Sequence, residues 1–344
     1  MPYKLQPGRQ PNAPPYKAVR SSGNKAALKQ KKLHRIKLLE RCIDDALASA
    51  CFKSDERQDG AIISPHLFVE ELSDEVISAL LDEYVPTSFD DRGMSQELGA
   101  IFRHASDLAP NQLRVKEIIE TVEVFLQIVA FIGAQPKTKK QNTSPIVDVA
   151  CGHGLLAVLL AYRYPHRKVI ACDTKQREVY DALRAGFVKF GTTTSKVKGT
   201  VVPLGNLEFA EGMFQDCIRS ESFMDNSEGL PLLCGVHACN TLSRDIIEFA
   251  VERNFSWAVI PCCIKAGTYI SCQLNGHQQP SISNLGESQD NYLVQCGAIA
   301  GMFRAEMMYA IDARITIRNV IICGGGGINA KRIEYTPEFC ETAH

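Results

Sequence analysis

The sequence contains no run of 18 apolar residues, no Cys-x-x-Cys pair and no acidic residue before Glu40. The first absence excludes a transmembrane helix of ordinary length. The start of the chain also lacks the apolar segment of a secretory signal peptide. The 13 cysteines are odd in number and scattered, which argues against a disulfide framework. We therefore expect a reducing compartment, either cytoplasmic or nuclear.

Residues 1–39 contain ten Lys or Arg and no acid, and we call them the basic arm. Because the whole chain has a net charge of -1, the rest of the chain is net acidic. Residues 1–24 are rich in Pro, Lys and Arg, which predicts a disordered basic tail. The arm has three interpretations. It contacts the phosphates of an RNA partner, it is an organelle transit peptide, or it is a solvated tail that leads into an amphipathic helix.

The composition of the 344 residues, 45% hydrophobic and 22% charged, is that of a soluble globular protein. Apolar residues recur at helical spacing in three stretches, 66–90, 95–109 and 111–134. We therefore predict a helical N-terminal region over 25–136, followed by a polar linker.

From residue 145 onward, apolar strands alternate with helical segments. This alternation predicts an α/β domain over 145–327: a doubly wound, mainly parallel, seven-stranded Rossmann-like sheet with helices on both faces. A loose C-terminal tail follows over 328–344. The polar segment 264–290 is either a substrate lid or disordered. The predicted strands are 146–149, 168–173, 200–204, 232–237, 257–260, 307–311 and 315–323.

The first strand runs directly into a glycine turn, Ala150-Cys-Gly-His-Gly154, and then into an apolar helix. A strand, a glycine turn and a helix N-terminus together form the entry of a nucleotide-type site, because glycines admit a ligand close to the backbone. Asp173 ends the second strand, about twenty residues later, where an acid can hydrogen-bond ribose hydroxyls. Asp148 lies inside the first strand, where it orients the turn or meets the amino group of the ligand.

The segment Asp148-Val-Ala-Cys-Gly-His-Gly154 resembles motif I of class I S-adenosylmethionine-dependent methyltransferases, with Ala150 replacing the first glycine. The resemblance implies that S-adenosyl-L-methionine is the cofactor. The cofactor-binding residues would then be Asp148, Ala150, Gly152, His153, Gly154, Asp173 and Asn206. Within this set the resemblance gives Asp173 to the ribose and Asn206, just beyond the predicted third strand, to the adenine, whereas His153 either contacts the ligand or faces solvent.

A second pattern follows: His237-Ala-Cys239 after the fourth strand, a helix with an Asp, and a strand that ends in Cys262-Cys263. It is similar to a subset of methyltransferases that includes tRNA acceptor-stem 2′-O-methyltransferases and glutathione S-transferase C-terminal-domain-containing proteins. The resemblance covers roughly residues 112–323. Asn240 stands where that subset has Gly, and Ile264-Lys265 stands where the tRNA enzymes tend to have histidines.

The carboxyl ends of strands four and five should meet beside the glycine turn, so His237, Cys262 and Cys263 are the candidate catalytic residues. Three interpretations stay open. The group lines a substrate pocket with His237 as general base, it binds zinc together with Cys239, or it packs as small apolar side chains. Pocket lining without a metal is the favoured interpretation. The Pro261-Cys262 dipeptide also resembles the nucleophile motif of cytosine-5 methyltransferases, although those enzymes carry it after the fourth strand.

The predicted activity is S-adenosylmethionine-dependent methyl transfer to RNA, with tRNA as the preferred class. RNA would be the partner, held in part by the basic arm, and no membrane contact is expected. Three alternatives are a non-catalytic binding or scaffold protein that keeps the fold, a methyltransferase for a protein or small molecule, and an NAD-linked oxidoreductase. The motif I spacing disfavours the last of these.

Overall fold

The computed structural model describes residues 66–85, 94–135, 143–191, 204–219, 231–239, 241–262, 289–313, 315–316 and 318–325. The helices are α1 (Asp74–Tyr84), α2 (Met94–Leu108), α3 (Val115–Ala134), α4 (Leu155–Arg163), α5 (Glu178–Phe190), α6 (Phe214–Arg219), α7 (Leu242–Glu252) and α8 (Gln289–Met302), and a short 3-10 turn covers Val69–Glu71. The strands are β1 (Ile146–Val149), β2 (Val169–Asp173), β3 (Leu207–Glu211), β4 (Leu232–Val236), β5 (Ser256–Ile260), β6 (Met307–Ala310) and β7 (Val320–Gly324). The basic arm, the polar segment up to residue 288 and the C-terminal tail lie outside these ranges.

The seven strands form one sheet in the order β3-β2-β1-β4-β5-β7-β6, with only β7 antiparallel to its neighbours. The predicted mainly parallel, seven-stranded Rossmann-like sheet is confirmed. The order reverses between β1 and β4, and the carboxyl ends of these two strands lie side by side. In open α/β sheets, the ligand crevice forms outside that point of reversal.

The central strands are buried on both faces because each is a short, unbroken apolar run, apart from Asp148. Two apolar cores cover the two faces of the sheet. One contains α3, α4 and α5, and the other contains α7 and α8 around Trp257. None of the helices in the described ranges combines the length and apolarity that crossing a bilayer requires.

The third strand was predicted at 200–204, and that position is wrong. Leu207–Glu211 pairs in parallel with Val169–Asp173, whereas Leu204 begins a turn and residues 200–203 lie outside the described ranges. The strand lies at the sheet edge, where it has a neighbour on one side only, and Glu208 and Glu211 are exposed.

The last strand begins at Val320, five residues later than predicted. Ile315 is fully buried, but it reaches the core from a turn in which its N–H donates to the Asp312 carbonyl. Asn319 donates its side-chain amide to the Ile311 carbonyl at 2.7 Å and so closes the connection between β6 and β7. An apolar run alone does not separate these buried turn residues from a strand.

The helices before the sheet pack on the helices that cover it. α2 lies along α5, and α3 lies beside α4. Tyr162 of α4 donates its hydroxyl to Glu97 of α2 at 3.1 Å, which joins the two parts of the chain. The helical region is therefore part of the core that supports the crevice.

Candidate active site

The glycine turn is held in a left-handed backbone conformation at three residues, with φ of 55° at Ala150, 59° at Gly152 and 73° at Gly154. The Gly154 N–H donates to the Cys151 carbonyl at 2.7 Å, and the Cys151 N–H donates to the Cys172 carbonyl of β2 at 3.1 Å. Ala150 stands where motif I has glycine, so its Cβ adds strain of about 1–2 kcal/mol, the usual cost of this conformation. Ala150 departs from the motif in sequence, but its backbone still adopts the left-handed conformation that favours glycine.

Asp173 ties the end of β2 to this turn. Its Oδ2 accepts the Gly152 N–H at 2.9 Å, and its Oδ1 accepts the Thr174 N–H at 2.7 Å. The carboxylate therefore fixes the height of the turn above the sheet. The contact of Asp173 with a ribose stays a prediction. The position of Asp173 at the end of β2 agrees with that prediction.

Asp148 is almost fully buried beneath the turn, where its Oδ2 accepts the Ala157 N–H at 3.1 Å. This bond satisfies one of the free donors in the first turn of α4. Burial raises the pKa of Asp148 to about 7. The Ala157 hydrogen bond acts in the opposite direction, and the neighbouring Asp173 carboxylate adds to the rise. The group can therefore change charge near neutral pH.

His153 turns its ring back to its own helix. Its Nδ1 accepts the Leu155 N–H at 3.1 Å, so the side chain acts as a cap on the first turn of α4. Burial lowers the pKa of His153 to about 4, and the nearby His237 and Arg177 act in the same direction. A neutral ring is the form that can accept this bond. His153 also borders the crevice, so the predicted ligand contact stays a prediction.

Asn206 does not lie near the adenine position that was predicted for it. It precedes β3 instead of following it, because the strand begins three residues beyond the predicted end. Its side-chain amide donates to the carbonyls of Ala161, Tyr164 and Arg167, at 3.2, 3.0 and 2.8 Å. Asn206 therefore closes the end of α4 at the amino edge of the sheet, which is opposite the glycine turn.

His237 follows β4 directly, in a left-handed conformation with φ of 57°. Its Nε2 lies 3.0 Å from Oε2 of Glu120, a carboxylate of α3 that is only 2% exposed. Sequence reasoning missed Glu120. The available signal was an acid in the middle of an apolar helix, where a buried charge requires a partner.

Cys239 and Cys262 meet across the ends of β4 and β5, with their sulfur atoms 3.4 Å apart. The ring of His237 turns to α3, where its Nε2 meets Glu120. Cys263 lies outside the described ranges. Within those ranges, no group of three or more His, Cys, Asp or Glu side chains has a metal-binding arrangement.

These features surround a crevice of about 420 Å³ at the carboxyl edge of the sheet. Its floor is the glycine turn, one wall is α3, and His237 stands at the far side. Three cations, Arg114, Lys116 and Arg177, border it together with three acids, Glu117, Glu120 and Asp148. Arg114 pairs with Glu117 at 3.2 Å. The volume lies in the range of small-molecule and cofactor sites.

The crevice fits an adenosyl cofactor on two observations. A Cβ added to Gly152 would meet no atom within 4 Å, so the turn leaves open space at the residue that borders the crevice. One carboxylate, Asp148, borders the crevice, and a second, Asp173, is bonded to the turn at the Gly152 N–H. The residues that would hold the cofactor are therefore Asp148, Gly152 and Asp173.

A protein family described as a methyltransferase domain matches residues 114–266, from the start of α3 to just beyond β5. None of the curated proteins matches the sequence. Residues 114–266 are thus a methyltransferase domain, which confirms the predicted enzyme class and agrees with the predicted cofactor, S-adenosyl-L-methionine.

The chain is also similar to solved structures that share little sequence with it. A fibrillarin/Nop5p complex is 11% identical, with 58% of this chain and 81% of that chain covered and a TM-score of 0.35. A mutant of MtNAS in complex with S-adenosylmethionine is 10% identical over 72% and 77%, with a TM-score of 0.32. M. capricolum TrmK with S-adenosyl-homocysteine is 14% identical over 58% and 68%, with a TM-score of 0.27.

Proposed function

We propose that this protein methylates RNA, with tRNA as the first substrate to test, as the resemblance to the acceptor-stem enzymes implies. The observation that carries the proposal is one crevice that joins the motif I turn and His237 beyond β4, with Arg114, Lys116 and Arg177 among the residues on its border. Cations beside a reactive pocket can contact phosphates, which supply most of the affinity for nucleic acid. The basic arm, with ten Lys or Arg in residues 1–39, adds charge of the same sign.

Bound S-adenosyl-L-methionine supplies an electrophilic methyl group on a sulfonium. The protein then has to align an acceptor with that methyl group, and alignment alone can supply a large part of the rate. Asp148, Gly152 and Asp173 are the residues that we propose for cofactor binding. His237 is the residue that we propose for removing a proton from the acceptor, whereas Arg114 and Lys116 would hold its phosphates.

Titration calorimetry with S-adenosyl-L-methionine tests the cofactor part. We expect micromolar-range binding by the wild type and a loss of about tenfold or more in Asp173→Ala, because that change removes both the ribose acceptor and the bond to the Gly152 N–H. Asp181→Ala is the matched control. Asp181 is an acid eight residues beyond Asp173. It pairs with Gln176 at the surface, and its removal should leave the affinity unchanged. A wild type that does not bind the cofactor would contradict the proposal.

Filter binding of tRNA across a salt series tests the substrate part. We expect the full chain to bind with a steep salt dependence, and a chain without residues 1–39 to bind more weakly with a shallower slope. Each lost phosphate contact lowers the slope of log affinity against log salt by about 0.7–0.9. The absence of salt-dependent binding by both proteins would remove RNA from the proposal.

A fold that binds cofactor without transferring methyl is the second candidate. Asn240 and Ile264-Lys265 depart from the pattern of the tRNA enzymes, and these departures favour it. Incubation with labelled S-adenosyl-L-methionine and fractionated cellular RNA, protein and small molecules separates the two candidates. Label in RNA supports the first candidate, label in another fraction changes the substrate, and binding without any transfer supports the second.

A further inference from the structure

The contact between Glu120 and His237 joins a buried acid to a partly exposed ring. Glu120 Oε2 lies 3.0 Å from His237 Nε2, and the side chains are 3% and 37% exposed. Glu120 Oε1 is buried and has no hydrogen-bond partner in the part of the chain that the structure describes. Both residues border the crevice. The pair therefore lies inside the proposed active site, with a polar atom left for a ligand.

The backbone at His237 supports a functional interpretation of this pair. A non-glycine residue with a positive φ costs of order 1–3 kcal/mol and persists where the surroundings hold it. The conformation places the ring at the point where β4 ends beside β1, and it turns the ring onto α3. A histidine that only filled space at a strand end would need neither the strained turn nor a buried carboxylate.

We propose that Glu120 is a positioning residue that makes His237 Nδ1 the base for the methyl acceptor. This inference rests on the proposed methyltransferase function. The carboxylate accepts the Nε2–H, which selects the tautomer whose lone pair is on Nδ1. A buried acid behind a catalytic histidine works in this way in the hydrolase triads, where it fixes the tautomer and stabilises the protonated ring.

The pair also defines the acceptor class. A base helps most when the acceptor is a poor nucleophile until it loses a proton, as a hydroxyl is, so the proposal takes a hydroxyl of the RNA as the acceptor. The acceptor O–H bond breaks with its proton passing to Nδ1, and the oxygen forms the new bond to the methyl carbon while the electrons of the S–CH3 bond return to sulfur. The protonated ring then releases its proton to solvent, which the exposure of His237 permits.

Nitrogen NMR of the protein labelled in its histidine rings tests the tautomer without any substrate. We expect the His237 signals, assigned by their loss in His237→Gln, to report the Nε2–H tautomer in the wild type at pH 8. Glu120→Gln should give a mixture of tautomers, because an amide can donate to Nε2 as well as accept from it. An Nδ1–H tautomer in the wild type would overturn the inference.

Single-turnover methyl transfer to cellular RNA at saturating cofactor gives the second test. We expect Glu120→Gln to lower the rate about 100-fold, within the range of general base catalysis, and to have little further effect in a His237→Gln background. Glu248→Gln is the charge-matched control, because Glu248 pairs with Arg244 on the outside of α7 and should leave the rate unchanged. Additive losses in the double variant would show that Glu120 does not act through His237.

The results that would contradict the role of Glu120 differ from those that would contradict the proposed function. If the wild type transfers no methyl group to RNA, the proposed substrate is wrong, and the tautomer measurement still decides the role of Glu120. If the wild type transfers methyl and Glu120→Gln transfers it at the same rate, the methyltransferase stands and the positioning role is wrong. Circular dichroism of each variant establishes that the fold is kept.

Discussion

Replacing Gly154 by alanine should strongly lower the stability of the fold, whereas replacing Gly152 by alanine should weaken cofactor binding and leave the fold in place. A Cβ at Gly154 would collide with the ring of Tyr180, which is fully buried. Overpacking of this kind and the left-handed φ of 73° together should cost about 2–5 kcal/mol. At Gly152, only the conformational cost of about 1–2 kcal/mol applies, because the Cβ meets open space.

That open space is the proposed cofactor site, so the small structural cost at Gly152 should accompany a large loss of binding. We expect the affinity of Gly152→Ala for S-adenosyl-L-methionine to fall about 10- to 100-fold, a change of about 1.4–2.8 kcal/mol. Thermal unfolding and calorimetry on both variants separate the effects. Gly297→Ala, at an exposed position in α8 with no atom within 4 Å of its Cβ, should be neutral or slightly stabilising. Unchanged cofactor affinity in Gly152→Ala would argue against the crevice as the cofactor site.

The affinity for S-adenosyl-L-methionine should rise between about pH 5.5 and 8 through the ionisation of Asp148. The cofactor carries an ammonium group and a sulfonium, so the charged carboxylate binds it better than the protonated one. Because burial raises the pKa of Asp148 to about 7, each pH unit below 7 should weaken binding by up to about tenfold. His153, with its pKa lowered to about 4, stays neutral across this range.

Asp148→Asn assigns the effect to this carboxylate, since His237 and Asp173 also border the turn. The amide keeps an acceptor for the Ala157 N–H but has no charge, so the variant should bind weakly at every pH and lose the pH dependence. The stability of the fold should change with pH in the opposite direction to the cofactor affinity. The native pKa exceeds the ordinary value of 3.8, so the wild type loses stability as the pH rises from about 4 through 7. The variant should therefore unfold at a higher temperature than the wild type at pH 8, and the gap should narrow at pH 5. A wild-type affinity that is flat with pH would contradict this account.

Local patterns in the sequence predicted the parts of the site that lie close together along the chain. The strand, the glycine turn and the helix over 146–163 occur where the apolar run and the glycines indicated, and Asp173 ends β2 as expected. His237 was identified because it follows a strand whose carboxyl end faces the same edge. Each of these inferences needs only strand order and the geometry of a parallel sheet.

The parts that were missed depend on packing between distant segments. The apolar spacing of α3 predicted a helix with Val115, Ile118 and Val122 on its buried face. It did not show that the side that carries Glu120 and Thr121 would also be buried. Asn206 was assigned to the wrong edge because a shift of β3 by a few residues exchanges the residue before the strand for the residue after it. A single sequence contains neither the register of an edge strand nor the docking angle of a helix.

The attachment of α3 determines when the crevice can form during synthesis. Glu123, three residues beyond Glu120, accepts the Asp312 N–H at 2.7 Å, and Gln135 at the end of the helix donates to Glu306 at 2.8 Å. Both partners belong to the β6–β7 hairpin, whose strand β7 inserts between β5 and β6. These two bonds of the wall that carries Glu120 can therefore form only after almost the whole sheet has left the ribosome, although the glycine turn lies in the middle of the chain.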